Sequence, residues 1–148
     1  MSKKDTEHFL SPDDEQKVVQ AIQSAEKNTS GEIRVHIEGR CPKKDAYKRA
    51  TAVFHELGMD ATELRNGVLI YLAVEDHLFA IIGDKGINDV VPDGFWNNVK
   101  DIMQDHFKRR EFARGLELGI EQAGHELKVH FPYQQDDENE LSDEISKG

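Results

Sequence analysis

The chain has 148 residues, 37% of them hydrophobic, which is enough for one globular domain with its own core and at most a short tail. Its formal net charge of −10 at pH 7 argues against binding to nucleic acid, because the phosphate backbone attracts basic proteins. The single cysteine, Cys41, excludes an internal disulfide and a cysteine-based zinc site.

The N-terminal residues contain no apolar stretch of signal-peptide length, and no segment approaches the roughly 20 apolar residues that span a bilayer. The sequence therefore predicts a soluble, cytoplasmic protein without a membrane segment. Nothing in it indicates an obligate oligomer, so a monomer is expected.

The first predicted helix begins at Ser11, where a hydroxyl side chain is followed by Pro12 and three acidic residues that face the positive end of the helix dipole. Residues 32–38 then alternate strictly between polar and apolar side chains, which predicts a strand with one buried face. Arg34 and His36 are on the other face, which predicts that this strand lies at an exposed or thinly covered edge of the sheet.

Two apolar runs, residues 68–74 and 78–82, are separated only by a short polar turn, which predicts a β-hairpin. Neither run alternates, so both strands are expected to be covered by helices on two faces. A predicted helix over residues 46–57 joins the strand at 32–38 to the hairpin. A strand–helix–strand unit of this kind makes a right-handed crossover between parallel strands. The sheet is therefore expected to be small and mixed.

Pro92 begins a further helix, and the last long amphipathic helix starts at Phe112. Three glycines in that last helix are expected to allow close packing against a neighbour. The final thirteen residues hold six acidic side chains and one lysine. We therefore predict one domain over residues 1–133 and an acidic tail over residues 134–148 that is disordered or loosely docked. Leu141 and Ile145 are spaced for a single helical turn that would dock.

Oxygen-bearing side chains gather at one rim of the predicted sheet. Glu32 begins the first strand, Asn66 begins the second, and Asp84 follows the antiparallel third strand, so the three residues share one edge. The next loop returns Asp89 over that edge, and Asp93 follows one turn later. Carboxylate and amide oxygens suit a hard divalent cation, and calcium accepts about 6–8 of them in loose geometry. Asp and Asn beside Gly are also common turn formers, so a purely structural role is the alternative.

A second group of polar side chains lies at the opposite rim, where the parallel strands end. Open α/β sheets tend to bind ligands at that end. The candidate residues there are Glu38, Cys41, Asp45, Glu75, Asp76 and His77. We rank this group second, because Glu75 and Asp76 fit an ordinary hairpin turn.

Four short motifs in order resemble the TPM domain family, which includes a thylakoid acid phosphatase, a photosystem repair protein and a receptor modulator. The similarity covers roughly residues 8–130. The motifs are Thr29-Ser30-Gly31-Glu32-Ile33-x-Val35, Asn66-Gly67-Val68-Leu69-Ile70, Gly83-Asp84-Lys85-Gly86-Ile87-x-Asp89 and Phe112-x-x-Gly115-Leu116-x-x-Gly119 after Phe107. The acidic C-terminal piece is similar to that of a stand-alone bacterial subgroup.

This resemblance implies an α/β fold, a three-layer α/β/α sandwich around the small mixed sheet. It also implies a divalent-metal site, most often for Ca²⁺, with Mg²⁺ or another divalent cation as alternatives. Carried onto this sequence, the metal ligands would be Glu32, Asn66, Asp84 and Asp89. One position departs from the family pattern, because Arg65 precedes Asn66-Gly67 where the family has Asp.

Two functions follow from these residues together with the resemblance. The first is a calcium-binding, non-catalytic module that serves interaction or assembly with a protein partner; the absence of a nucleophile motif and the presence of Arg65 favour it. The second is a weak metal-dependent acid phosphatase, in which a cation would polarise the phosphoryl oxygens of a phosphomonoester.

Overall fold

The computed structural model describes residues 9–132 and 144–148. These residues form a four-stranded mixed sheet with the strand order β3-β2-β1-β4. The strands are β1 (Glu32–Glu38), β2 (Gly67–Ala73), β3 (Leu78–Gly83) and β4 (Ser146–Lys147). Strands β1 and β2 are parallel, and β2 and β3 form the antiparallel hairpin. The predicted crossover and the mixed sheet are therefore confirmed.

Helices cover both faces of the sheet. They are α1 (Pro12–Glu26), α2 (Ala46–Glu56), the single turn α3 (Lys85–Asn88), α4 (Phe95–Lys108) and α5 (Phe112–His130). Helices α1, α4 and α5 share one apolar core with the odd-numbered side chains of β1 and the even-numbered side chains of β2. Helix α2 packs on the other face, against Leu69 and Tyr71 of β2. This arrangement is the predicted three-layer α/β/α sandwich.

Strand β2 is the centre of both cores. Each of its seven residues is buried, and the side chains of Ile70 and Tyr71 are fully enclosed on opposite faces. The uninterrupted apolar run predicted this environment correctly, because a strand covered by helices on both faces has no polar face.

The long helix α5 packs closely on its neighbours through its three glycines. A methyl group at Gly124 would lie 2.6 Å from Cβ of Ala25 in α1, and one at Gly119 would lie 2.6 Å from the sulfur of Met103 in α4. Gly115 has the same relation to Phe107. The expected close packing is therefore confirmed, and α5 joins α1, α4 and the sheet into one unit.

The edge of β1 was predicted to be exposed or thinly covered, and the exposed alternative is wrong. Residues 146–147 form β4, which pairs in parallel with His36 and Ile37, and His36 is buried. Ile145 belongs to the main core, because the transfer of an aliphatic side chain out of water is favourable.

The predicted acidic tail therefore ends in ordered structure. Residues 144–148 pack on the domain as an extended segment, and Ile145 precedes a strand where a helical turn was expected. Leu141 and the rest of residues 133–143 lie outside the described residues. Within the part of the chain that the structure covers, no helix is long and apolar enough to cross a membrane.

Candidate functional site

Three of the four predicted ligands meet at the same rim of the sheet. The register pairs Glu32 with Gly67 and Val68 with Gly83, so the starts of β1 and β2 lie beside the end of β3. The backbone N–H of Asp84 donates to the carbonyl of Gly67 over 2.9 Å. Glu32, Asn66 and Asp84 are all buried, with 2%, 2% and 7% of their surfaces exposed. The rim therefore collects two carboxylates and an amide away from bulk water.

The carboxylate of Asp84 is already held by an arginine. Nε of Arg65 donates to Oδ2 over 2.7 Å, and Nη2 donates to Oδ1 over 3.0 Å, which makes a bidentate ion pair. The backbone N–H of Lys85 also donates to Oδ1, so Asp84 caps helix α3. The hydrogen bonds and charge of Asp84 raise the pKa of Arg65 above its ordinary value. The positive charge beside Asp84 is thus supplied by the side chain of Arg65.

Asp89 is not brought into this group. It ends the single turn of α3 while Asp84 begins it, and its side chain is exposed. Five residues of helical rise separate the two by about 7 Å along the axis. Asp93 is exposed as well. The structure therefore places Asp89 outside the buried rim, at the far end of the α3 turn.

The remaining carboxylates stand on different strands. Glu32 is on β1 and Asp84 follows β3, with Gly67 of β2 between them, so their backbones are two strand spacings apart, roughly 10 Å. Among the described residues, no group of three or more His, Cys, Asp or Glu side chains is arranged to hold a metal ion. The donor types at the rim fit a hard cation, and a cation at Asp84 would compete with Arg65 for the carboxylate.

The sequence did not predict one buried polar group near this rim, the hydroxyl of Thr62. Thr62 lies in the loop that leads to Arg65 and Asn66, is 5% exposed, and its Oγ1 has no hydrogen-bond partner among the described residues. A buried hydroxyl without a partner is uncommon, because its desolvation is not compensated. A threonine in a loop carries no sequence signal of its own, so only the fold shows it.

The second-ranked group, at the opposite rim, is used mainly for local structure. Asp45 caps α2 by accepting from the N–H of Lys48, and Asp76 accepts from the N–H of Cys41 over 2.7 Å. Glu75 pairs with the exposed Arg40 over 2.9 Å. The contacts of Asp76 and Glu75 join the loop after β1 to the hairpin turn, in which His77 has a positive φ. A shallow cleft of about 800 Å³ lies over this loop, and Cys41 lies beneath it with only 3% of its surface exposed.

Glu38 is the exception in that group, because it forms the centre of a buried polar cluster with His36, Arg49 and Tyr71. Arg49 donates from Nε to Oε2 over 2.9 Å and from Nη2 to Oε1 over 3.0 Å. The hydroxyl of Tyr71 donates to Oε2, and Nε2 of His36 lies 3.3 Å from Oε1. Burial alone raises the pKa of Glu38, but the hydrogen bonds from His36, Arg49 and Tyr71 outweigh it and lower the pKa to about 2.

We expect this cluster to make the protein sensitive to acid. The folded-state pKa of Glu38 is depressed, so its stabilisation is complete above the ordinary value of 4.5 and is lost as the pH falls toward 2. The loss is of the order of 3 kcal/mol, at about 1.4 kcal/mol for each unit of pKa shift. Urea unfolding of the wild type between pH 7 and 2 should show this decline, and the decline should be smaller in Glu38→Gln.

Glu75→Gln is the control for this titration. The pKa of Glu75 is also lowered to about 2, chiefly by its hydrogen bond from Arg40, but that pair lies in water and is screened. The pH profile of Glu75→Gln should follow that of the wild type. Parallel profiles for the wild type and Glu38→Gln would show that Glu38 is not the titrating group.

The chain is similar to a known protein family and to solved structures. A family model described as the TPM domain matches residues 3–126. The NMR structure of BA42 protein from the psychrophilic bacterium Bizionia argentinensis is 54% identical, covers 96% of this chain and 97% of its own, and superposes with a TM-score of 0.87. No protein with curated annotation matches the chain.

Two more distant structures share the fold. The N-terminal domain of cg2496 protein from Corynebacterium glutamicum is 15% identical over 80% of this chain and 74% of its own, with a TM-score of 0.64. The N-terminal domain of a protein from P. gingivalis is 18% identical over 86% of this chain and 84% of its own, with a TM-score of 0.70. At this level of identity the comparison supports the architecture alone.

Proposed function

Because this chain belongs to the TPM domain family, we propose that it is a divalent-cation-binding, non-catalytic interaction module whose ion is Ca²⁺. The observation that supports the cation is the buried rim where Glu32, Asn66 and Asp84 meet. These side chains offer oxygen atoms alone, and a hard cation prefers such donors. The bound ion would supply positive charge to the rim.

Arg65 determines how strongly the rim binds a cation. Its guanidinium takes both oxygens of Asp84, so an added cation and Arg65 compete for one carboxylate. Asp84 is buried, but 48% of the side chain of Arg65 is exposed, so the arginine can move into solvent while the carboxylate stays. Binding of Ca²⁺ should therefore be weak in the wild type and stronger when position 65 has no charge.

The test is a calcium titration followed by amide NMR shifts. We expect saturable shifts at Glu32, Asn66 and Asp84, and at least a tenfold gain in affinity in Arg65→Gln because the competing charge is gone. Asp84→Asn should lose the response. Arg40→Gln removes an arginine from an exposed ion pair at the opposite rim, and its affinity should equal that of the wild type.

The same titration can reject the proposal. Ca²⁺ at millimolar levels should also raise the melting temperature, since a ligand that binds only the folded state stabilises it by mass action. If neither the wild type nor Arg65→Gln shows shifts or stabilisation at these levels, the rim is not a cation site. Shifts that persist in Asp84→Asn would locate the ion elsewhere.

Two observations favour the non-catalytic role over phosphatase activity. Asp84, one of the two carboxylates of the rim, is neutralised by Arg65, and the only thiol, Cys41, is buried. Hydrolysis of an aryl phosphate is the test of the alternative. Turnover that requires added divalent cation and disappears in Asp84→Asn, with the fold retained, would replace the non-catalytic role by phosphomonoester hydrolysis.

A further inference from the structure

The outer edge of β1 is occupied by the chain's own residues 144–148, which we call the tail strand. His36 and Ile37 pair with Ser146 and Lys147, and the N–H of Gly148 donates to the carbonyl of Ile37 over 2.9 Å. The tail strand is thus added to a sheet edge by main-chain hydrogen bonds, the way in which many extended peptides are bound.

The side chains of residues 145–147 each meet a matching feature of the domain. Ile145 is 8% exposed and lies in the main core. Oγ of Ser146 lies 3.0 Å from Nδ1 of His36, and Nζ of Lys147 lies 3.1 Å from Oε1 of Glu15 in α1. The edge of β1 therefore accommodates an aliphatic residue, a hydroxyl residue and a basic residue, in this order.

The final position is restricted by size. A Cβ atom on Gly148 would lie 3.0 Å from Nε2 of His36 and 3.3 Å from Oε1 of Glu38, closer than most side chains tolerate. These two groups cannot easily retreat, because Glu38 is fixed by Arg49 and Tyr71. The buried cluster around Glu38 therefore serves as a rigid wall of the site.

We propose that the outer edge of β1 is a peptide-recognition site, specific for an extended segment with the pattern aliphatic–hydroxyl–basic–glycine. The tail strand fills this site in the absence of a partner, and a protein partner binds by presenting a segment of the same pattern. The site is lined by Glu15, His36, Ile37 and Glu38. This inference rests on the proposed interaction role and names its partner, but it does not depend on the cation.

The tail strand acts as a tethered competitor. Residues 133–143 join it to Pro132, and a short covalent linker gives an effective concentration in the millimolar range. A free peptide with the same contacts must therefore reach millimolar concentration to displace it. Weakening the tail strand should let the same peptide bind at lower concentration.

The experiment uses the full chain, labelled for NMR, and a synthetic peptide that corresponds to residues 142–148. Lys147→Glu in the chain places a carboxylate beside Glu15 and weakens the tail strand, and without peptide Ile145 still occupies the core, so the fold is preserved. We expect the peptide to shift the amides of His36 and Ile37 at a half-saturating concentration at least tenfold lower in Lys147→Glu than in the wild type. Lys17→Glu reverses a charge on the same helix, away from the tail strand, and should behave as the wild type.

Specificity is tested with a second peptide in which valine replaces the serine at position 146. It should bind about tenfold more weakly, because it leaves His36 without its hydrogen bond. Equal binding of the two peptides, no shift at His36 and Ile37 in Lys147→Glu, or equal responses in Lys17→Glu and Lys147→Glu would each overturn the inference. If calcium shifts the rim amides but the peptide does not bind, only the peptide-recognition site is rejected. If the peptide binds but calcium causes no shifts, only the cation role is rejected.

Discussion

Replacement of Arg49 by alanine is expected to destabilise the protein by about 3 kcal/mol. The variant removes both guanidinium hydrogen bonds to Glu38 and leaves a buried carboxylate with less compensation for its lost hydration. Removal of one partner from a buried ion pair costs about 3–5 kcal/mol in other proteins, and the partial exposure of Arg49 puts the effect at the lower end. Thermal unfolding should show a melting temperature lower by roughly 10 °C.

Arg40→Ala is the matched control. It also removes an arginine from a pair with a glutamate, but 75% of the side chain of Arg40 is exposed, and exposed pairs contribute about 0–1 kcal/mol. Its melting temperature should stay within a few degrees of the wild type, by the same conversion. Equal losses in the two variants would mean that burial does not distinguish the two pairs.

Replacement of Gly86 by alanine is expected to cost about 3 kcal/mol and to disturb the rim. The new Cβ would lie 2.2 Å from the carbonyl oxygen of Leu64 and 2.6 Å from that of Arg65, and these backbone atoms cannot rotate away. The N–H of Gly86 is also bonded to the carbonyl of Arg65 over 2.7 Å. The loop that carries Arg65 must therefore move, and its ion pair with Asp84 should weaken.

Urea unfolding measures the loss, and the amide shifts of Arg65 and Asp84 report the change at the rim. Lys85→Ala alters the preceding exposed residue of the same helical turn and should change neither quantity appreciably. If Gly86→Ala keeps wild-type stability and shifts, the contact with the carbonyls of residues 64 and 65 is not the reason for a glycine at this position.

Local patterns were sufficient to predict most of the fold. The two uninterrupted apolar runs around Glu75 and Asp76 predicted the hairpin, and the alternation over residues 32–38 predicted β1. Both patterns depend on neighbours in sequence, because the side-chain period of a strand is set by the backbone itself. The helix start at Ser11 follows the same logic, since capping is a local hydrogen bond.

Contacts between distant residues were missed. Nothing near Ile145 indicates that it leaves an acidic segment for the core, and nothing near His36 indicates a strand that lies 110 residues away. The rim shows the same limit. The strand ends predicted that Glu32, Asn66 and Asp84 share an edge, but not that Arg65 turns back to take both oxygens of Asp84.

The pairing of β4 with β1 determines what the edge of β1 presents to other molecules. Contacts over 110 residues form slowly, since loop closure costs entropy that only the completed pairing returns. Until residues 144–148 arrive, β1 presents open N–H and C=O groups that a strand from another molecule can pair with. Strand β4 pairs with these groups and so limits aggregation through the edge of β1.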